Sequence, residues 1–209
     1  MAKLLYIEAS PRKDRSYSIQ VAREFLAAYG AAHPKDEIDT LDLWRTDLPA
    51  FDGETINAKY AILHGQQHSP AQAQAWGRVV ETARRFKAAD KYLLSLAMWN
   101  FGIPYKLKHY FDVLVQPSLT FSFSPAEGYK GLVTGKPAVV IYASGGAYAG
   151  GSGTESMDFQ KPYVELILGF MGFKDIRRIV VEPTMADPKA LEKTIAAAKE
   201  EARALARAL

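Results

Sequence analysis

The sequence predicts an α/β fold in which a five-stranded parallel sheet carries helices on both faces. Five apolar runs of strand length alternate along the chain with longer segments whose apolar side chains recur at helical spacing. Several of these runs are nearly continuous in apolar residues, as expected of strands buried on both faces. The 209 residues contain no internal repeat and no low-complexity linker, so residues 1–209 are expected to form a single domain.

The elements follow in order from these two patterns. The predicted strands are Lys3–Ala9, Glu37–Leu43, Lys91–Ala97, Pro137–Ser144 and Asp175–Glu182. The main predicted helices are Ile19–Tyr29, Ala71–Ala88, Ile103–Val115, Phe159–Phe170 and Pro188–Leu209. Gly30 is expected to end the first helix, and Pro104 is expected in the first turn of the helix after strand three.

Two long excursions interrupt this alternation, over Trp44–Pro70 and Gln116–Lys136. Connections of that length in a compact domain usually carry a function or contain a short element of their own. Thr55–Leu63 is the segment of the first excursion that we expect to be helical. The second excursion is rich in phenylalanine and glycine.

Right-handed crossovers and five strand–helix units favour a flavodoxin-like three-layer sandwich with strand order 2-1-3-4-5. In that order the loops after strands one, three and four lie side by side at the carboxyl edge of the sheet, where open α/β sheets bind ligands. We call them loop one (residues 10–18), loop three (residues 98–104) and loop four (residues 144–153).

The composition excludes several classes of protein. There are 26 Lys+Arg and 23 Asp+Glu residues, and no basic face is concentrated anywhere, so no nucleic-acid partner is expected. The chain has no cysteine, which excludes disulfides and thiol catalysis, and its four histidines lack metal-ligand spacing, so no metal site is expected. No signal peptide and no apolar run of membrane-spanning length are visible, which predicts a cytoplasmic protein without a membrane partner.

Loop one has the composition of a phosphate site. It precedes a helix whose first N–H groups attract anions, and it supplies both hydroxyl and cationic donors. The candidate ligands are Ser10, Arg12, Ser16, Tyr17 and Ser18, with Lys13 and Arg15 as further cations. For Ser16 alone, a helix N-cap is an equally good interpretation. The segment contains no glycine and therefore matches neither a dinucleotide fingerprint nor a P-loop.

Loop three contains Met98, Trp99, Asn100 and Phe101, followed by Gly102 and Pro104. One interpretation is a hydrophobic plug over the end of the sheet. The run of aromatic, asparagine and aromatic residues favours the other interpretation, a loop that contacts a planar ligand, with Asn100 bonding to its polar edge. Gly102 is expected to give the backbone room to turn or to approach the ligand.

Loop four begins with Ser144, Gly145 and Gly146, whose backbone N–H groups are not screened by large side chains. The alternative is a mobile glycine turn, which we expect for residues 150–153.

A phosphate at loop one and a planar polar ring at loops three and four describe a mononucleotide. With this strand order the natural candidate is flavin mononucleotide (FMN), and a single basic, serine-rich loop suits one terminal phosphate better than FAD.

These motifs together resemble the FMN-dependent NADH-azoreductase family. The resemblance rests on Ser10, Ser16–Ser18, Met98–Phe101, Ser144–Gly146, Gly131–Lys136 and Leu168–Gly172. It implies a homodimeric flavodoxin-like enzyme that binds FMN tightly without a covalent bond and oxidises NADH or NADPH. It also implies ping-pong reduction of quinones and azo compounds, with the flavin carrying the chemistry. Trp99 stands where the family often has Tyr, and Ser144 stands where many members have Arg.

The resemblance further implies that Tyr129 and Phe170 reach across a dimer interface and cover the partner's flavin. The aromatic content of the second excursion independently predicts a two-fold dimer, because so many large apolar side chains near a monomer surface need cover. Phe173, just before strand five, is expected to lie in the core instead.

Two other functions remain open from the residues. A flavodoxin-type electron carrier without turnover is the main alternative, although the slightly basic charge and the aromatic excursions favour an enzyme. A nucleotide- or sugar-modifying enzyme on the same fold would need paired carboxylates near the loop ends, which the sequence does not show. The sequence isolates no catalytic acid or base.

Overall fold

The computed structural model describes residues 1–209 and confirms a flavodoxin-like α/β sandwich. The strands are β1 (Lys3–Glu8), β2 (Glu37–Asp42), β3 (Lys91–Ala97), β4 (Phe121–Ser124), β5 (Gly128–Gly131), β6 (Ala138–Ala143) and β7 (Ile176–Val181). The main sheet is parallel throughout and has the order β2-β1-β3-β6-β7. This is the predicted order 2-1-3-4-5, because β6 and β7 are the fourth and fifth strands of that sheet.

Six α-helices cover the two faces of this sheet. They are α1 (Tyr17–Ala32), α2 (Gly53–Leu63), α3 (Pro70–Lys87), α4 (Tyr105–Leu114), α5 (Lys161–Met171) and α6 (Pro188–Arg207). Alternate side chains of each strand point to opposite faces, so the core is divided in two. Leu5 and Ile7 pack with α3, α4 and α5, whereas Leu4 and Tyr6 pack with α1 and α6. None of the six helices combines the length and the apolar character needed to cross a membrane.

Local capping defines where several helices begin. The Asp52 carboxylate accepts from the Thr55 N–H at the start of α2, which confirms the short helix expected in the first excursion. Ser69 and Gln72 form a reciprocal capping box at the start of α3, with Pro70 as its first residue. Both α2 and α3 are therefore fixed by sequence-local hydrogen bonds.

Two predicted helix ends were wrong. Gly30 lies inside α1, and the helix ends beyond it, where His33 precedes Pro34 and the residue before a proline is disfavoured in helical conformation. Pro104 precedes α4 in an extended conformation and is not part of its first turn, because the helix begins at Tyr105.

The second excursion contains a β-hairpin that the sequence did not predict. Strands β4 and β5 pair antiparallel, outside the main sheet. The hairpin is fixed to the end of α5: the Val133 N–H donates to the Met171 carbonyl at 2.8 Å. A Cβ atom built on Gly131 would lie 2.4 Å from the backbone of Gly172, so only glycine fits where the hairpin meets the helix.

Candidate functional site

Loops one, three and four lie side by side at the carboxyl edge of the sheet. β3 is hydrogen-bonded to β1 on one side and to β6 on the other. Backbone bonds continue this contact past the strand ends, from the Ala9 N–H to the Ser95 carbonyl at 3.0 Å and from the Met98 N–H to the Ala143 carbonyl at 2.7 Å. The three sets of candidate residues that the sequence separates by more than 40 positions therefore converge on one edge.

Loop one presents buried hydroxyl groups at the start of α1. Ser10, Ser16 and Ser18 are all buried, and the hydroxyl oxygens of Ser16 and Ser18 are 3.1 Å apart. Ser16 is extended and separates a short 3-10 turn (Lys13–Arg15) from α1. The first N–H groups of the helix, at Tyr17 and Ser18, therefore have no carbonyl of a preceding helical turn to donate to. Buried N–H groups of this kind need an acceptor, and an anion supplies one.

The structure bears on the N-cap interpretation of Ser16. It occupies the N-cap position, yet its hydroxyl accepts no hydrogen bond from the N–H groups of the helix. Its conformation and its contact with Ser18 leave the hydroxyl for another partner. Ser16 is therefore the N-cap residue by position but makes no side-chain capping bond, and its assignment to a phosphate stays a prediction.

The cations of loop one fall into two groups. The Lys13 ammonium forms ion pairs with the carboxylates of Glu8 and Asp42, the last residues of β1 and β2. Arg12 is exposed and forms no ion pair, and its N–H lies 3.4 Å from the Ser10 hydroxyl. Arg15 is exposed and without an ion pair as well, so Arg12 and Arg15 are both available to an anionic ligand.

Loop three is a tight turn in a left-handed conformation. Trp99 and Gly102 exchange two backbone hydrogen bonds of 3.1 and 2.9 Å, and the residues between them, Asn100 and Phe101, have φ values of 48° and 68°. Two consecutive positive φ values define a type I′ turn, which suits asparagine but is strained for phenylalanine. Within this turn, the side chains of Asn100 and Phe101 are exposed, and the backbone N–H groups of both residues donate to no protein acceptor.

The turn does not depend on a glycine at position 102, contrary to expectation. Its φ is not positive, and a Cβ atom there would come no closer than 3.8 Å to any other atom, namely the Trp99 carbonyl oxygen. The strained conformation is carried by Asn100 and Phe101 instead. Such strain at non-glycine residues clusters at ligand-binding sites because the surrounding structure must impose it.

Trp99 belongs to an aromatic cluster that the sequence did not predict. Its ring centroid lies 5.7 Å from that of Trp44 and 6.2 Å from that of Tyr105. Trp44 also donates its indole N–H to the Ala9 carbonyl at 3.2 Å, which connects the cluster to the end of β1. Met98 is half-buried beside it. Trp99 therefore has a packing role as well as an exposed edge.

Loop four is held at its first residue by several hydrogen bonds. The Ser144 carbonyl accepts from the N–H and the hydroxyl of Thr184, both at 2.9 Å. The Ser144 hydroxyl lies 2.9 Å from the Gly146 carbonyl and 3.1 Å from the Glu182 carboxylate. The N–H groups of Gly145 and Gly146 donate to no protein acceptor. Residues 150–153 form a separate turn, with positive φ at Gly151 and Gly153.

A buried charge cluster behind loop four was missed by the sequence reasoning. The Lys161 ammonium lies 2.8 Å from Asp158 and 2.9 Å from Glu182, and all three side chains are less than a tenth exposed. Burial lowers the pKa of Lys161, but the hydrogen bonds that its ammonium donates to Asp158 and Glu182 outweigh burial and raise that pKa above its usual value. Glu182 directly follows β7, beside loop four, and that position was the available sequence signal.

Tyr129 and Phe170 do not lie with the three loops of their own chain. Their rings are 5.5 Å apart and pack with Phe121 at the hairpin. Phe170 is nine residues beyond Lys161 along α5, or about 14 Å by helix rise. The structure therefore forms one cluster of loops at the sheet edge and a second, aromatic cluster at the far end of α5.

The donor set at the sheet edge fits FMN. Loop one offers buried hydroxyl and N–H groups, which suit a phosphate, while loops three and four offer unpaired N–H groups beside the exposed edges of Trp99 and Phe101. The observation that carries this fit is that each of the three loops has N–H groups without a protein acceptor. A flat ring with carbonyl oxygens and a monoester phosphate satisfies such donors.

Comparisons with known proteins agree with this geometry. The sequence profile of a family described by its flavodoxin-like fold matches residues 2–206. An FMN-dependent NADH:quinone oxidoreductase from Desulfotalea psychrophila is 53% identical over 209 residues, which cover 100% of this chain and 98% of the relative. A protein of the same name from Nitratidesulfovibrio vulgaris is 51% identical over 207 residues, which cover 99% of each chain.

Two solved structures are similar over their whole length. The crystal structure of an azoreductase from Bacillus anthracis has a TM-score of 0.91 at 30% identity and covers 100% of both chains. An FMN-dependent NADH-azoreductase from the same organism, solved in complex with FMN, has a TM-score of 0.87 at 29% identity. The alignment covers 99% of this chain and 100% of that one.

Proposed function

Because the chain belongs to the flavodoxin-like fold family, and within it to the FMN-dependent NADH:quinone oxidoreductases and azoreductases, we propose that it transfers electrons from NADH to quinones and azo compounds. It is an FMN-dependent oxidoreductase. The observation that carries the proposal is the convergence of unpaired donors from loops one, three and four at one edge of the sheet. When bound, FMN supplies the acceptance of hydride and the delivery of electrons.

The start of α1 binds the phosphate in this proposal. Ser10, Ser16 and Ser18 supply hydroxyl groups, and the helix supplies N–H groups and the positive end of its dipole. Arg12 adds a mobile positive charge at the surface, while the backbone and hydroxyl groups set the geometry. Tyr17 is half-buried and packs against the core below the site, so its N–H, more than its ring, faces the phosphate.

Loops three and four orient the ring. Asn100 and the N–H groups of Gly145 and Gly146 lie where they can bond to polar ring atoms, and they stabilise negative charge that develops on reduction. Met98, Trp99 and Phe101 supply apolar contact and exclude water from one side. No side chain of this site is assigned as an acid or a base, so proton transfer is left to solvent.

The order of the reaction and the choice of nicotinamide are part of the same proposal. NADH or NADPH and the oxidant use the open face of the site in turn, which is a ping-pong order. Parallel lines in double-reciprocal plots at several quinone concentrations are expected, and intersecting lines would contradict that order. The ratio of kcat/KM for the two nicotinamides measures the preference directly.

A two-fold dimer completes the site in this proposal. Phe123 and Tyr129 are 59% and 67% exposed on the hairpin, which is unusual for neighbouring large apolar side chains of a monomer. Tyr129 and Phe170 would cover the partner's site, since they lie far from the loops of their own chain. A self-complementary patch that closes as a dimer is the commonest assembly of this kind.

Mixing two inactive variants tests the shared site. Ser16→Asp should lose FMN by charge repulsion, and Phe170→Ala should lose substrate cover without losing FMN. A hybrid dimer places both lesions in one site and leaves the other intact, so activity should recover after subunit exchange. Sedimentation as a monomer at working concentration, or no recovery after proven exchange, would contradict the shared site.

The cofactor and the turnover are tested on the purified protein. The visible spectrum should be that of oxidised flavin, and the cofactor released by acid should co-elute with FMN and not with FAD. NADH oxidation should then depend on an added quinone or azo dye. The electron-carrier alternative instead expects bound FMN with no steady-state oxidation of NADH. The cytoplasmic location stays a prediction, which cell fractionation tests.

A further inference from the structure

The buried cluster of Asp158, Lys161 and Glu182 connects loop four with the segment that precedes α5. The two oxygens of Glu182 contact loop four separately, at 3.1 Å from the Ser144 hydroxyl and at 3.3 Å from the Tyr148 N–H. These contacts bracket Gly145 and Gly146, whose N–H groups are unpaired. Glu182 therefore helps to fix where those two N–H groups lie, together with the bonds from the Thr184 N–H to the Ser144 carbonyl at 2.9 Å and from the Met185 N–H to the Gly145 carbonyl at 3.1 Å.

The same cluster is connected to loop three. One oxygen of Asp158 accepts from the N–H groups of Gln160 and Lys161 at 2.9 and 3.0 Å, which caps the start of α5. Phe159 follows Asp158 in the sequence, and its N–H donates to the carbonyl of Phe101 in the left-handed turn at 3.0 Å. Loops three and four are thus tied to a single buried assembly, joined by the Lys161 ammonium.

The charge of the cluster is unbalanced. Two carboxylates and one ammonium sum to −1, with side-chain exposures of 6% for Asp158, 9% for Lys161 and 6% for Glu182. At that depth solvent screens a charge poorly, so the excess acts on the neighbouring loops. Loop four (residues 144–153) contains no Lys or Arg, so no cation of that loop offsets the carboxylate.

We infer that Glu182 is a positioning residue for the cofactor: it holds the Gly145 and Gly146 N–H groups in place, and its incompletely balanced charge keeps the reduction potential of bound FMN low. The inference rests on the proposed function, because it assumes FMN at loops three and four. Reduction adds negative charge to the ring, and a nearby negative charge opposes that addition. Replacing the carboxylate by a neutral group should favour the reduced cofactor.

Two substitutions separate the charge of Glu182 from its reach. Glu182→Gln keeps the size and removes the charge. Reduced FMN should gain about tenfold in affinity relative to oxidised FMN, an upward shift of about 30 mV for a two-electron couple. Glu182→Asp keeps the charge and shortens the side chain. It should accelerate hydrogen exchange at the Tyr148 amide and weaken FMN binding, with a smaller change in potential than Glu182→Gln.

Glu165→Gln is the matched control. It makes the same change of charge on α5, at a side chain that is 34% exposed, pairs with Arg178 and forms no hydrogen bond with loop three or loop four. Its FMN potential should stay within error of the wild type. Equal shifts in Glu165→Gln and Glu182→Gln would show a general effect of surface charge and overturn the assignment to Glu182.

Two further results would overturn the inference. One is a folded, FMN-bound Glu182→Gln protein with an unchanged potential, and the other is a Glu182→Asp protein with unchanged amide exchange and FMN affinity. If Glu182→Gln does not fold, Glu182→Ala replaces it, because it also removes the carboxylate and should raise the potential. An unchanged potential in a folded, FMN-bound Glu182→Ala protein also overturns the inference.

Failure of the proposed function has a different signature. If the wild-type protein binds no FMN, that function and the effect on potential both fail. Hydrogen exchange in the protein without cofactor then still tests whether Glu182 positions loop four. Glu182→Asp should accelerate exchange at the Tyr148 N–H, and unchanged exchange would overturn the positioning role as well.

Discussion

The carbonyl oxygen of Phe101 accepts a hydrogen bond from the backbone N–H of Phe159 at 3.0 Å. Phe101 is in the left-handed region, with a φ of 68°, and this bond comes from a residue 58 positions away. A distant segment therefore helps to impose a strained conformation on loop three. A bond from outside the loop that fixes this turn reduces the ordering cost of binding a ligand there.

Paired substitutions at Phe101 measure the strain in this turn. Phe101→Gly and Phe101→Ala lose the same aromatic contacts, but only glycine adopts a positive φ without cost. The glycine variant should be more stable than the alanine variant by roughly 1 kcal/mol, after allowance for the greater freedom of glycine in the unfolded chain. Urea unfolding of the protein without cofactor gives both values. An alanine variant as stable as the glycine variant would show that the turn is not strained.

Much of the fold could be predicted from the sequence because each central strand is a continuous apolar run, and such runs have few alternatives. The hairpin of β4 and β5 could not, since its strands have four residues each and contain serine and glycine. Its position depends on the close contact of Gly131 with Gly172, which is a tertiary feature.

The candidate site shows the same division. Loops one and four could be located from the sequence because they follow the apolar strands β1 and β6, whereas the roles of Ser10, Ser16 and the glycines stay predictions. The left-handed turn could not be predicted, because asparagine and phenylalanine adopt other conformations more readily. The contact between Ser144 and Glu182 spans 38 positions, and only the adjacency of β6 and β7 brings the two side chains together.

Ser16→Ala should weaken FMN binding with little loss of stability. The hydroxyl makes no capping bond to α1, so the protein without cofactor should lose less than the ~1 kcal/mol typical of a lost cap. Loss of a hydrogen bond to phosphate should weaken FMN binding by roughly 0.5–3 kcal/mol. Quenching of FMN fluorescence measures affinity, and urea unfolding measures stability. Ser156→Ala, at an exposed position, is the control, and a Ser16→Ala protein with normal affinity would remove Ser16 from the site.

Asp36 should contribute to stability in a pH-dependent way. Hydrogen bonds from the Ala2 N–H and the Tyr29 hydroxyl, both 2.7 Å long, lower the pKa of its carboxyl to about 2. A lowered pKa in the folded state stabilises the protein above the unfolded-state value of about 4, and this contribution is lost as pH falls from about 4 to about 2.

Asp36→Asn isolates that contribution. The variant should be less stable than the wild type at neutral pH, and the difference should shrink between pH 4 and pH 2. Asp47→Asn is the control, because the carboxylate of Asp47 is 93% exposed and pairs only with Arg78. Urea midpoints measured at several pH values give the comparison. A constant difference between wild type and Asp36→Asn over that range would contradict the assignment.

Gly131→Ala should detach the hairpin from α5. An added Cβ atom would lie 2.4 Å from Gly172 and 2.5 Å from the Met171 carbonyl carbon, and both are backbone atoms that cannot rotate away. The bond from the Val133 N–H to the Met171 carbonyl should therefore break, and the hairpin should lose protection from hydrogen exchange. Gly169→Ala, in α5 with open space around the added atom, should instead stabilise α5 by roughly 0.5–1 kcal/mol.

If the hairpin closes the dimer, Gly131→Ala should also weaken dimerisation in sedimentation experiments while Gly169→Ala should not. A Gly131→Ala protein that keeps both hairpin protection and dimer affinity would show that this contact does not position the hairpin.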